Sequence, residues 1–463
     1  MNRYYGLALL VLGLSVTTTL IGQPPIQLNT TVRSTTLTGS GMADLWTFID
    51  SQGREFALIC QSSGGMSAWE ITNPATPVFA DNIPTTGSDL KDIKIEGNYG
   101  FICQESGDGM VVDLTDPYNL NVVATVPGIG AHNGEVGDGY WVFCSVPGGS
   151  QIWDISNPLN PFLVSTVSGS SHDATIDGDR LYIHSFSGTQ THVYDISNIA
   201  SPQLLSSIPY GNHSGATYTA PGGQRIVMVC NETGGGYSQI WDVTDGSNPV
   251  YLSSYQTPGW ASISVHNPVE MGRYICISHY ADFLRIVDVA NPSTPQEVGI
   301  FDPVPNNAGA GLFSGCWGAV PLKELAGGGH RIVVGNRNTP VSFYVIDFTP
   351  PPAIDLAMST TGAGDLDFTL SGVDPFTTAY NLISVQSPIL PFGSAPFLGI
   401  GQDAFFLLIA NAGAPIQVAT DAQGQWSISL PAGAIAPGFA MDVVSLGLAG
   451  GQYRLSPVGR IGF

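Results

Sequence analysis

The feature that most constrains this chain is a phrase, Gln151-Ile152-Trp153-Asp154-Ile155-Ser156-Asn157-Pro158, followed by the β-rich run Phe162-Leu163-Val164-Ser165-Thr166-Val167. It reads as strand, turn and strand, and it recurs in altered form from Trp69 to Ile346. Its best-preserved marker is an apolar or aromatic residue, an acid, an apolar residue and a polar turn. The marker acids are Glu70, Asp113, Asp154, Asp195, Asp242, Asp288 and Asp347. Their spacing, mostly about 40 to 50 residues, suits a unit of four short strands and is too long for a leucine-rich or hexapeptide solenoid.

Each unit begins with a short inner strand such as Lys91-Asp92-Ile93-Lys94-Ile95-Glu96, turns at Gly97-Asn98 and returns through an apolar second strand. A third strand ends at the marker acid, and a turn such as Thr115-Asp116-Pro117 leads to a fourth. Asp, Asn and Ser side chains bond nearby backbone in such turns, so the marker acids read as turn formers rather than catalysts. The seventh unit runs into Pro350-Pro351-Pro352, which cannot donate to a ladder, and has no fourth strand of its own. Residues 26–37 look like a fourth strand with no unit before it. The expected fold is therefore all-β: a seven-bladed β-propeller over residues 26–349, closed by the N-terminal strand. Residues 353–463 follow as a small C-terminal β-sandwich-like module, because the markers stop there and short alternating runs such as Leu366-Asp367-Phe368-Thr369-Leu370 take over.

The 36 acidic residues outnumber 14 basic ones, giving a formal charge of −22 that repels phosphate backbones and anionic membranes, so nucleic acid is excluded as a partner. Residues 1–22 read as an export signal, with Arg3 ahead of the apolar run from Gly6 to Leu14; an uncleaved membrane anchor is the competing reading. No other segment is apolar and long enough to span a bilayer as a helix. Six cysteines in an exported chain would ordinarily imply disulfides. Here Cys60, Cys103, Cys144 and Cys230 fall at equivalent places in separate units, which argues for buried free thiols.

The runs Leu90-Lys91-Asp92-Ile93-Lys94-Ile95-Glu96-Gly97-Asn98-Tyr99 and Gly109-Met110-Val111-Val112-Asp113-Leu114-Thr115, with the His132-Asn133 and His172-Asp173-Ala174 strand starts and the Asp-Ile-Ser-Asn-Pro turns, resemble the LVIVD-repeat propellers. The likeness is greater to the choice-of-anchor B family of exported bacterial proteins. The resemblance covers about residues 42–347 and implies a propeller, export to the extracellular space or cell envelope, and variable C-terminal attachment. It implies no reaction. The chain has neither a Leu-Pro-x-Thr-Gly motif nor a terminal apolar span with a basic tail.

Candidate site residues come from lining up the inner-strand starts: Leu45, Lys91, His132, His172, His213, His266 and Cys316. In a propeller these positions surround one mouth of the central channel. The four histidines are the candidate ligands of a divalent metal, since imidazole suits zinc, copper, iron or nickel. Asn133, Asp173 and Asn267 each follow a histidine and are candidates to orient it. Lys91 and Asp92 are candidates for ligand contact, the bland alternative for Lys91 being an ion pair with Asp92 or another acid. Trp46, Trp260 and Trp317 are channel-face aromatics, of which Trp317 is the binding candidate. The competing reading makes each histidine a structural residue of its own blade.

No Gly-x-Ser-x-Gly elbow, His-Glu-x-x-His helix, phosphate-binding glycine loop or paired Cys-x-x-Cys occurs. The functional expectation is a binding or interaction module for a protein, glycan or small ligand at the propeller face. The alternative is a metal-dependent hydrolase or oxidoreductase at the histidine-lined mouth.

Overall fold

The computed structural model describes residues 25–39, 41–62, 64–84, 89–220, 223–257, 263–305, 311–337, 340–385, 400 and 415–463. The expected export signal, residues 1–22, and Trp260 lie outside the described residues. Among the described residues every regular element is a β-strand.

Residues 42–83, 90–126, 134–167, 173–208 and 214–255 each fold into a four-stranded antiparallel sheet with its strands in chain order. The second strand of each is buried along most of its length, as in Glu55–Gln61 and Arg225–Cys230. Neighbouring sheets cover both faces of such a strand, so it carries an apolar run rather than an alternating pattern. All six cysteines are buried and free, and Cys60, Cys103, Cys144 and Cys230 lie in or just past the second strands of these sheets as small apolar residues.

The third strands end at or next to the marker acids, and Asp113, Asp154, Asp195, Asp242 and Asp288 do form the turns, whereas Glu70 accepts the Tyr118 hydroxyl and Asp347 the Arg331 guanidinium. Asp113 Oδ1 accepts the Thr115 N–H at 2.8 Å and Asp195 Oδ1 the Ser197 N–H at 2.8 Å. Asp154 does the same for Ser156 at 2.9 Å. Between third and fourth strands the register shifts at one place in sheet after sheet, at Ala68/Trp69, Ile152/Trp153, Val193/Tyr194 and Ile240/Trp241. A bulge at that point adds the local twist that lets each sheet lean on the next.

The N-terminal segment behaves differently from a single closing strand. Thr30–Leu37 pairs antiparallel with Ser342–Phe348 and completes the sheet of residues 316–348, as expected. Ile26–Leu28 instead pairs with Gln296–Asp302 and becomes the fifth strand of the preceding sheet. The split occurs at Asn29, whose φ of 53° is a left-handed conformation that Asn tolerates. Its side-chain amide donates to Val298 O at 2.7 Å and holds the corner.

The first strands of successive sheets adjoin one another, from Met42–Ile49 through Leu90–Glu96, Gly134–Gly137, Asp173–Asp177, Ser214–Thr219 and Pro268–Met271 to Cys316–Leu325, which returns to Met42–Ile49. They surround a common axis. Beyond residue 354 two further antiparallel sheets, one of three strands and one built on Ala440–Ala449, share a core of Ile354, Leu366, Phe368, Val373, Val418 and Val443.

Candidate functional site

In an antiparallel hairpin the start of the first strand faces the end of the second. The registers Asp173↔His184, Ser214↔Cys230 and Pro268↔Ile277 follow that rule. Residues just before the first strands and just after the second strands therefore crowd one mouth of the axis. The first group supplies His132, His172, His213 and His266; the second supplies Glu105, Phe186, Glu232, Tyr280 and Arg337.

The histidines do converge. Ring centroids lie 4.9 Å apart for His132 and His172, 4.3 Å for His172 and His213, and 4.5 Å for His213 and His266. Trp317 continues the arc 4.6 Å beyond His266, and the Arg337 guanidinium carbon lies over its ring, 3.9 Å from the centroid. Backbone ties fix the arc: Asn212 Oδ1 accepts the Glu232 N–H at 2.8 Å, and the Ser214 hydroxyl donates to His266 O at 2.6 Å. Asn133 Nδ2 donates to His172 Nδ1 at 3.3 Å, so Asn133 orients the histidine of the next sheet rather than its own neighbour.

The Glu232 carboxyl faces the arc from the side. One oxygen is 3.5 Å from His213 Nε2 and the other 3.9 Å from His266 Nε2, and the Tyr280 hydroxyl donates to the latter oxygen. His266 Nδ1–H donates to Trp317 O at 2.6 Å, which assigns the tautomer and leaves its Nε2 lone pair turned toward Glu232. A lone pair opposite a carboxylate needs a proton or a cation between them. Burial supplies one answer by pushing the Glu232 carboxyl up to about 7. Burial also drives His172 down to about 3, with His132 beside it adding to the effect. His213 and His266 are held well below the ordinary imidazole range, first by burial and then by charge on neighbouring imidazoles. The inner arc is therefore neutral at physiological pH, and His213 Nδ1 has no hydrogen-bond partner among the described residues.

Ligand atoms of His172, His213 and Glu232 all lie within 4.8 Å of one another, a donor set of two imidazoles and a carboxylate that fits zinc or a similar ion. His132 stands at the outer end of the arc and donates from Nδ1 to Glu105 at 2.8 Å. His184 is structural. Thr175 and Thr191 hydrogen-bond its two ring nitrogens, and a side chain at Gly215 would meet its ring at 2.6 Å.

Lys91 reaches the rim of the mouth, pairing with Glu105 at 3.5 Å beside His132 and with Asp89 at 3.3 Å, not with Asp92. Not every candidate joins it. Asp92 instead accepts from Lys94 and from the Gly134 N–H at 2.8 Å. Asp173 and Asn267 line a separate cavity of about 180 Å³ along the axis, together with Asp44, Trp46, Lys94 and Glu135. Leu45 and Cys316 are core residues. In that cavity burial raises Asp173 to about 7 and Glu135 to about 8; Asp92 lies outside its lining, and Lys94 holds it low against its own burial.

Glu232, Tyr280, Arg337 and Glu135 were not among the sequence candidates. The hairpin register would have found the first three, since each lies one or two residues past the end of a second strand.

An LVIVD-repeat family model matches residues 87–127 and 269–303, each match coinciding with one four-strand unit. The chain thus carries LVIVD repeats in a propeller-like, all-β setting. Among solved structures it is similar to the WD40 β-propeller domain of Doa1, at 12% identity and a TM-score of 0.47 over 68% of this chain and 96% of that one. It is also similar to the computationally designed Ika8 protein, at 14% identity and a TM-score of 0.44 over 67% of this chain and 98% of that one. No curated protein matches the chain.

Proposed function

We propose that this chain is an exported seven-bladed propeller of the choice-of-anchor B kind, residues 26–349, that acts as a binding module and takes its ligand at the histidine-lined mouth. Residues 1–22 are its export signal, and residues 353–463 attach it or hold a partner in the envelope or extracellular space. The observation that supports the mouth is convergence: imidazoles from separate sheets, a buried carboxyl, a tyrosine hydroxyl and an arginine meet at one end of the axis. His184, by contrast, makes both its ring hydrogen bonds within its own sheet.

Thermal-shift screening of the full chain against small polar ligands tests this reading. A hit is expected to lose its effect in Tyr280→Phe, which removes the hydroxyl facing Glu232, and to keep it in Phe79→Ser on an exposed outer strand. Hits that survive every mouth substitution would contradict it.

A second reading, a metal-dependent hydrolase or oxidoreductase, is favoured by the His172, His213 and Glu232 set. Those residues would hold the ion, which would supply Lewis acidity or a bound water as nucleophile. Elemental analysis of protein dialysed against zinc is expected to show stoichiometric metal that falls sharply in His213→Ala and Glu232→Gln. No retained metal in the unaltered chain would remove this reading and leave the binding module standing.

A further inference from the structure

Arg337 breaks a rule that the rest of the ring obeys. Between residues 26 and 348 every other described lysine and arginine has a carboxylate within 4.0 Å. In a chain with 36 acidic and 14 basic residues such pairing is the expected fate of a cation. Arg337 has no carboxylate at that distance, and its guanidinium N–H groups find no acceptor among the described residues. It is half-buried, with its guanidinium carbon over the Trp317 ring, and tethered by its own backbone N–H to Gly315 O at 3.0 Å.

The acids around it are already engaged. Glu232 accepts the Tyr280 hydroxyl and faces His213 and His266, while Asp89 and Glu105 hold Lys91. Burial lowers the Arg337 guanidinium from its ordinary range and outweighs the opposing effect of Tyr280, Glu232 and Asp89. A partly desolvated cation without a counter-charge is costly, and an aromatic face holds a guanidinium in the plane suited to a two-pronged contact. Its N–H fork is what a carboxylate or phosphate oxygen pair requires.

We propose that Arg337 is the anchor for an oxyanion, the carboxylate or phosphate group of a small ligand that enters the mouth at the Trp317 end of the histidine arc. The proposal rests on the mouth being the binding site and adds the chemical class of what binds there. The ligand's anionic group supplies the counter-charge that the fold withholds, and its remaining atoms meet neutral imidazoles and Tyr280.

Calorimetric titration of the full chain at low ionic strength with acetate, succinate and inorganic phosphate, one at a time, tests it. At least one probe is expected to bind saturably, the carboxylate and phosphate arms deciding between the two sources of oxyanion. Affinity should fall about 10- to 100-fold in Arg337→Gln, the range for removing a hydrogen-bonded charge, and less in Arg337→Lys, which keeps charge but not the fork. If Arg337→Gln does not fold, Arg337→Lys and the salt dependence of binding carry the test. Failure of all three probes, or binding unchanged in the variants, overturns the proposal. A neutral ligand that needs Tyr280 but not Arg337 would overturn it while leaving the mouth as the binding site.

Discussion

Deleting residues 30–37 should lower the midpoint of thermal unfolding by about 10 °C or more. These residues form the fourth strand of the last sheet and pair from Thr30↔Phe348 to Leu37↔Ser342. Val32 packs against the core cluster that holds Ile332, Val334, Ile346 and Phe348. Loss of a full ladder at about 0.5–1.5 kcal/mol per hydrogen bond, with the burial of Val32, amounts to roughly 5 kcal/mol, and a domain of this size shifts by about 2–4 °C per kcal/mol. The deletion also exposes Ser342–Phe348 as a free edge, so the variant should aggregate on heating. Removing residues 26–28 alone is a sharp control. That strand is exposed along its length and only extends a sheet that is already complete, so its loss should move the midpoint little. Calorimetry on the two deletions separates closure from decoration; equal midpoints for the unaltered chain and the 30–37 deletion would contradict closure by this strand.

Stability should also fall as pH rises from about 6.5 to 8. Burial raises Glu135 to about 8, and Asp173 and Glu232 to about 7. Between their ordinary range, near 4, and those values the folded chain holds protons that the unfolded chain has released, so stability declines with rising pH. Each such proton costs about 1.4 kcal/mol for every rise of one in pH, and the part of the decline above pH 6.5 sums to roughly 3 kcal/mol. The histidines have the opposite sign. His172 and His184 sit near 3 and His279 near 4 when folded, with His213 and His266 also held well below the ordinary range, so below about 6.5 these five imidazoles, which the unfolded chain protonates first, outnumber the three carboxyls and stability falls as pH falls. The two limbs leave an optimum at mildly acidic pH. Glu135→Gln should flatten the upper limb and leave the lower one in place, as read from unfolding midpoints at successive pH values. A midpoint that climbs between pH 6.5 and 8 would be incompatible with buried, protonated carboxyls along the axis.

Much of the architecture is legible in the residues because the repeat exposes it. Asp113, Asp154 and Asp195 each close the same turn, and that copying makes the unit visible where a single strand would not be. The buried thiols were readable for the same reason, since Cys60, Cys103 and Cys144 recur at one place in apolar second strands. The split of residues 26–37 was not readable. It depends on a left-handed Asn29 and a bond from its amide to Val298 O, 269 positions away. The histidine arc followed from aligning strand starts, but its partners did not. Glu232 and Tyr280 fall two residues after their second strands and Arg337 one, so their alignment slips by a residue and their types differ from sheet to sheet. Asp173 and Asn267 were expected beside the histidines and lie in the axial cavity instead. One step along an extended backbone turns a side chain the other way, so a residue that follows a mouth histidine is aimed differently.

The mouth can serve as a ligand seat of neutral donors only if its histidines are enclosed and turned toward Glu232. Imidazole ¹⁵N NMR of the full chain, followed from about pH 8 to 5.5, reads this directly. The expected spectrum keeps His172, His213 and His266 neutral throughout, with the His266 proton on Nδ1. Titration of these three near the ordinary imidazole value of about 6.5 would contradict it, because solvent-facing rings cannot form the arc from which the binding site is built.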